Sequence, residues 1–234
     1  MNPYAFDQLE FFKSLLTIFL SLWQVWVVLI ILAIIKARLP YLKGAIGEKF
    51  VSRKLFKLDP DHYKVLDDLL LPSNGSLSTT QIDHVVVSNY GIFCIETKSY
   101  KEWIIGNTEE KYWIQKIYGQ QKFYNPLWQN LAHTKAIEEL VKSKCSEDQI
   151  RSLVAFPYAK LKISGSKSYK VGNASDVIRK IESYKIQEFT DAKRDEIYNI
   201  LANANIRDKK LRKLHDKSVR DLKYAKTANS FSRR

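Results

Sequence analysis

Two carboxylates and a lysine stand out because they interrupt segments that otherwise read as buried strands. Asp83 breaks the run Ile82-Asp83-His84-Val85-Val86-Val87, and Glu96 and Lys98 close the run Ile92-Phe93-Cys94-Ile95. Strand side chains alternate faces, so Glu96 and Lys98 share one face with Ile92 and Cys94. An acid and a lysine on an apolar face are costly unless they are paired or used. If the two runs pair, Asp83 approaches Glu96. Carboxylates that close repel, and a hard cation between them relieves the repulsion. Mg²⁺ (or Mn²⁺) suits the position: it prefers oxygen ligands, keeps several waters, and is held by one or two carboxylates with substrate phosphates. A lysine beside it orients an attacking water or offsets charge growing on the phosphorane, while the metal lowers the pKa of its bound water. Such a site is built to hydrolyse a phosphodiester. Spacing alone leaves a second reading open. Acid-x-Lys is a short and common tripeptide, and Lys98 can simply bridge to a carboxylate at a sheet edge.

The elements around these residues are legible in outline. Ile46, Gly47, Val51, Leu55 and Leu58 fall at helical spacing over residues 44–58, with Glu48 in an early turn and Asp59-Pro60 as a stop. Residues 63–71 read as a strand, although Asp67-Asp68 weakens it. TQIDHVVVS (80–88) and IFCIETK (92–98) read as strands joined by Asn89-Tyr90-Gly91 in a hairpin. Residues 103–106 and 111–116 form a further short strand pair. A helix starts at Asn125-Pro126 and runs to about residue 142, with Pro at its first position and Asn125 as its cap. RSLVAF (151–156) is another buried strand, after which the pattern loosens; 174–183 and 191–204 look helical. The order helix, three strands, helix, strand predicts an α/β domain with a mixed sheet.

Several ordered motifs together carry a resemblance. They are Gly44-Ala45-Ile46-Gly47-Glu48, then Gln81-Ile82-Asp83-His84-Val85-Val86-Val87, then Tyr90-Gly91-Ile92-Phe93-Cys94-Ile95-Glu96-Thr97-Lys98, then Trp113, Asn125-Pro126-Leu127-Trp128-Gln129 and His133. Over residues 42–158 the chain resembles the nuclease-related domain family, placed in the restriction-endonuclease-like PD-(D/E)-x-K superfamily. The resemblance implies a restriction-endonuclease-like mixed sheet flanked by helices. It implies that Glu48, Asp83 and Glu96 hold metal, that Lys98 assists the attacking water, and that Gln129 helps position it. Asn125 and His133 fit the pattern without an assigned role. His84 points away from Asp83 and reads as a packed or hydrogen-bonded residue rather than a ligand.

The bulk properties bear on partners. The 234-residue chain has a net charge of +13, which favours an anionic partner: nucleic acid, an acidic membrane surface, or both. Residues 205–234 carry eleven Lys or Arg against three Asp, a net of +8. They read as a basic helical tail that either grips phosphates or is a solvated helix with a frayed end. Cys94 and Cys145 form no metal pattern, and the histidines at 62, 84, 133 and 215 are too scattered to make a zinc site.

SLLTIFLSLWQVWVVLIILAII, residues 14–35, contains 22 residues without a charge. About 20 apolar residues cross a bilayer core. A cleaved signal would be shorter and followed by small residues, unlike Lys36-Ala37-Arg38-Leu39-Pro40. A core helix is seldom apolar all round. The run is therefore expected to be a single transmembrane anchor. Lys36, Arg38 and Lys43 on its C-terminal side outweigh Asp7, Glu10 and Lys13 on the other, which places the following domain in the cytoplasm. The expected divisions are 1–13, an N-terminal segment; 14–35, the transmembrane helix; 42–158, the nuclease-related domain; and 159–234, a helical, basic extension. The function expected is a membrane-anchored, metal-dependent nuclease that hydrolyses phosphodiester bonds, with DNA as the expected substrate. The alternative is a non-catalytic, membrane-tethered module that binds nucleic acid or protein.

Overall fold

Apolar runs and turn residues set where each element begins and ends. The computed structural model describes residues 8–231; Asp7, Arg233 and Arg234 lie outside the described residues. Of the described residues, those up to 45 form one compact unit and those from 46 onward a second. In the first, helix α1 (Gln8–Ser21) is followed by α2 (Trp23–Leu55). The apolar run 14–35 thus falls on two helices, with a one-residue turn at Leu22. The Leu22 amide donates to Ile18 O at 3.2 Å, and Trp26 N to Leu22 O at 3.2 Å. The second of these helices is long and apolar enough to cross a membrane, and none of its apolar window is buried in the protein.

In the second unit, residues 46–55 complete α2. Then come β1 (Tyr63–Pro72), β2 (Thr79–Ser88), β3 (Gly91–Thr97), β4 (Lys101–Asn107), β5 (Tyr112–Lys116), β6 (Gln120–Tyr124), α3 (Pro126–Val141), β7 (Ile150–Ala155), β8 (Tyr158–Ser164), β9 (Val171–Gly172), α4 (Ala174–Glu182), α5 (Asp191–Ala204) and α6 (Lys209–Phe231). Gly91 closes the β2–β3 hairpin at φ +121°, a conformation that a side chain would strain. Asn125 caps α3 by accepting from Leu127 N at 2.9 Å, with Pro126 at the first helical position.

The strands form two mixed sheets rather than one, in the orders β1-β2-β3-β7-β9 and β6-β5-β4-β8. They are linked by the same two chain segments. β3 and β7 pair in parallel, and just beyond them β4 and β8 pair in parallel again. Lys98 lies in the seam, where its amide still donates to Ala155 O at 2.8 Å. Helices cover both faces of the first sheet, as a mixed α/β domain requires. Val51 and Leu55 of α2 and Val177 and Ile181 of α4 pack on Val86, Phe93 and Ile95. On the other face, Ile137 and Val141 of α3 and Ile197 and Leu201 of α5 pack on Val85, Val87, Ile92 and Cys94. The second sheet buries one face only, with Ile104 and Trp113 against Leu127, Val154 and Phe156.

The basic extension is helical, as expected, and is docked along its first turns. Arg212 Nη1 donates to both carboxylate oxygens of Asp68, at 3.0 and 2.8 Å, and its Nη2 donates to Asp68 O at 2.7 Å. Asp68 holds φ +52° there, which explains why Asp67-Asp68 looked out of place in a strand. His215, buried on the same helix, meets Thr79 Oγ1 at 2.9 Å.

Candidate active site

The β2–β3 ladder runs from Ser88↔Gly91 to His84↔Ile95 and then stops. One step further, Asp83 and Glu96 would face each other. There the Asp83 side chain turns in and its Oδ2 accepts the Thr97 amide at 2.7 Å. Alternation puts Asp83 with Val85, and Glu96 with Cys94, on the face covered by α3. Positions i and i+4 of a helix share a face, so α3 presents Gln129 and His133 together.

These side chains close around Glu96, which is 4% exposed. Lys98 Nζ lies 2.6 Å from Glu96 Oε1 and donates to Gln129 Oε1 at 2.9 Å. Gln129 Nε2 donates to the same Glu96 oxygen at 2.8 Å, completing a three-membered ring of contacts. His133 Nε2 stands 3.2 Å from Glu96 Oε2, and its Nδ1 meets Thr80 Oγ1 at 2.7 Å. The Nε2 contact is close in distance but poorly aligned, so that atom counts as buried without a hydrogen-bond partner. We therefore read it as an electrostatic contact.

The sequence expectation grouped Glu48, Asp83, Glu96, Lys98 and Gln129. The structure brings the last four into one site. Glu48, half-buried on α2, feels the charges of His84, Glu96 and Lys98, but no hydrogen bond or ion pair ties it to them among the described residues. His84 points away from Asp83, with Nδ1 at 2.7 Å from Asp67 Oδ1. Asp67 in turn accepts from Ser52 Oγ at 2.5 Å.

The two central carboxyls are pushed in opposite directions. Burial raises Asp83 well above the usual carboxylate range, and the negative charges of Glu96 and Glu48 add to it. Burial also pushes Glu96 up, but the Lys98 ammonium and His133 more than offset it and hold it at about 2. Burial pulls Lys98 down, and Glu96 outweighs that, so the ammonium is held above its ordinary value. Glu96 is depressed in the folded state, so its contribution to stability is fully present above the ordinary value of 4.5 and is lost as pH falls toward about 2. A pH series of thermal melts is expected to show wild-type stability dropping through that window, and Glu96→Gln to flatten the drop.

The donor set has the chemistry a hard cation uses: carboxylate oxygens in a buried setting whose mutual repulsion a cation would relieve. Of the two Asp83 oxygens, Oδ2 accepts the Thr97 amide. The buried side-chain atoms without a hydrogen-bond partner among the described residues are His84 Nε2, Thr97 Oγ1 and His133 Nε2; of these, His133 Nε2 lies beside Glu96, while His84 sits on the face opposite Asp83. Unsatisfied buried groups gather at functional sites. Among the described residues, no group of three or more His, Cys, Asp or Glu is drawn into a single metal-holding cluster.

Residues 43–157 match the family model described as nuclease-related domain. An uncharacterised protein of Bacillus anthracis is 38% identical over 198 residues, which cover 83% of this chain and 91% of that protein. The chain belongs to the nuclease-related domain family. No solved structure matches it. The nuclease-related domain, which sits within the restriction-endonuclease-like superfamily, contains the whole Asp83–Glu96–Lys98–Gln129 cluster.

Within this domain, sequence reasoning passed over Asn130 and Thr80. Asn130 is fully buried. Its Nδ2 lies 2.9 Å from Cys94 O, 2.9 Å from Ser152 Oγ and 3.0 Å from Leu153 O. It bolts α3 to β3 and β7, and so sets the height of Gln129 over Glu96. A fully buried asparagine beside Gln129 carries no signal distinguishing it from a surface polar residue until the helix is packed. Truncation would remove a donor from two strand carbonyls and leave a cavity between α3 and the sheet. Asn130→Ala is expected to cost about 2–4 kcal/mol, read as a lowered melting temperature.

Proposed function

We propose that this protein is a membrane-anchored, metal-dependent nuclease that hydrolyses phosphodiester bonds in DNA. The observation that supports it most is the contact of one lysine with a buried glutamate and a helix glutamine, beside an aspartate whose carboxyl is repelled by its neighbours. A salt bridge made only for stability would not be set against a second, destabilised carboxyl. Asp83 and Glu96, with Glu48 in support, would hold Mg²⁺ or Mn²⁺. When bound, the metal supplies Lewis-acid polarisation of the phosphate and a more acidic water. The protein groups do the positioning. The Thr97 amide fixes one oxygen of Asp83 and leaves the other for a ligand. Lys98 has three N–H donors and spends two on Glu96 and Gln129. The third serves an attacking water or a non-bridging phosphate oxygen. Gln129, donating and accepting at once, keeps Lys98 and Glu96 in register.

The apolar segment 14–35 would tether this site to a membrane, and Lys36, Arg38 and Lys43 would hold the domain on the cytoplasmic side. Protease protection of a C-terminal tag tests the orientation. The purified full chain in detergent should cleave DNA with Mg²⁺ or Mn²⁺ and stop when these are chelated. Cleavage that survives both Asp83→Ala and Lys98→Ala would sink this reading.

A second reading has its own observation. Both oxygens of Glu96 already face protein groups, and no three-donor cluster is formed among the described residues. This favours a tethered binding module without turnover. Salt-dependent DNA binding with no metal-dependent cleavage would decide for it.

A further inference from the structure

The outer face of the second sheet combines exposed rings with lysines and no opposing charge. Pairing fixes its rows. Lys160, Trp103, Lys116 and Gln120 lie side by side across β8, β4, β5 and β6, and Lys162, Ile105, Ile114 and Lys122 form the next row. Tyr158 pairs with Lys101 at one end, and Tyr112 with Tyr124 at the other. Their partners in the alternation, Ile104, Trp113 and Leu161, point into the core, so the rows above face solvent. Trp103 is 46% exposed, Tyr112 51% and Tyr124 42%. None of these outward positions is Asp or Glu.

We propose that this face is a stacking platform for single-stranded nucleic acid. Each ring already has a cation or a ring beside it. Lys160 Nζ stands 5.6 Å from the centre of the Trp103 ring, and Lys111 Nζ 5.5 Å from that of Tyr112. Tyr112 and Tyr124 meet edge to face at 6.2 Å, and Tyr124 meets Trp128 at 6.3 Å. Unpaired bases stack on such rings whatever their sequence, while the lysines neutralise phosphates. Base faces inside a duplex are not available for this, so the platform selects unpaired strands. A lipid surface fits less well. The large side chains that protrude furthest here are rings flanked by lysines, and the aliphatic Ile105 and Ile114 at the centre are half-buried. Trp128 immediately precedes Gln129 on α3, so the aromatic row Tyr112–Tyr124–Trp128 leads toward the site holding Lys98. This inference deepens the nuclease reading by naming its substrate class, but binding on the platform needs no turnover.

The test uses the full chain in nanodiscs of zwitterionic lipid, with EDTA present. The probes are an oligothymidylate of about 16 nucleotides and a duplex of equal length. The single strand should bind at least about tenfold tighter than the duplex, and Trp103→Ala with Tyr112→Ala should weaken it by about tenfold or more. Trp103→Phe should keep most of the affinity. Lys160→Gln with Lys162→Gln should lower the slope of log affinity against log salt by about 1.4. Equal affinity for both probes, or affinity indifferent to the ring and lysine changes, overturns the proposal. Should the ring variant fail to fold, the lysine pair decides alone. If phosphatidylserine in the disc, and not the oligonucleotide, shields Trp103 from acrylamide, the face docks on lipid and the proposal falls. Lys98→Ala that stops cleavage but keeps oligonucleotide affinity reports on the active site alone, so the two readings fail separately.

Discussion

Lys98→Ala is expected to lower DNA cleavage by about 10²–10³-fold, the scale on which one preorganised electrostatic group contributes to a transition state. Three effects combine. The donor that would face the phosphate or the water is lost. Gln129 Oε1 loses the Lys98 donor, so the amide is free to turn away from Glu96. Glu96, almost fully buried, loses the cation 2.6 Å away that offsets its burial. Its carboxyl should then rise from about 2 toward or above its ordinary value. Wild-type Glu96 stays ionised down to low pH, and the variant should begin to take up a proton at higher pH. Lys98→Arg keeps the charge but not the fit, because a planar guanidinium cannot replace a compact ammonium in a three-way contact. Rates of cleavage across pH for wild type and both variants provide the check. A Lys98→Ala rate within a few-fold of wild type would contradict the assigned role.

Asp83→Asn should do two things at once: abolish cleavage and stabilise the domain. An amide of the same shape still accepts the Thr97 N–H through its oxygen. It removes a carboxylate that burial, Glu96 and Glu48 all disfavour. The sign follows from linkage. Asp83 is raised in the folded state, so ionising it costs stability once pH climbs above its ordinary value of 3.8. At neutral pH the wild type bears that cost and the variant does not. Relief of strain at an active site commonly returns about 0.5–2 kcal/mol. Thermal melts in the absence of divalent metal should show the variant melting higher. Adding Mg²⁺ should raise the wild-type melting temperature and leave the variant nearly unmoved. A variant that melts lower than wild type would show that the Asp83 carboxylate is satisfied, and that the site is structural.

Much of this was readable from residue types. Asp83, Glu96 and Lys98 stood out because charge on an apolar β-branched run is expensive, and alternation alone put Glu96 and Lys98 on the Cys94 face. The hairpin at Gly91, the cap at Asn125 and helices α3, α4 and α5 came from local chemistry that needs no tertiary partner. Two strands of the second sheet did not, nor did the two-residue β9. Gln120–Tyr124 is too polar to announce itself, and Tyr158–Ser164 lies in a segment whose alternate lysines face solvent. Both belong to the second sheet, which buries one face only. The tail reads from sequence as a basic helix, but nothing in its own composition indicates that Arg212 finds Asp68.

The Asp83…Glu96-Thr97-Lys98 pattern was thus determined by sequence alone, as an anomaly in cost: charges placed where burial penalises them. Whether the pair was a salt bridge or a site depended on distances between segments far apart in the chain. Only the tertiary structure ends the hairpin one pair short of Asp83, brings Gln129 from 31 residues beyond Lys98 to join it to Glu96, and sets Lys98 in the seam between two sheets. The physical reason is range. Propensity, alternation and capping act over a few residues, whereas the field at a buried carboxyl is set by whichever charges folding brings within a few ångströms.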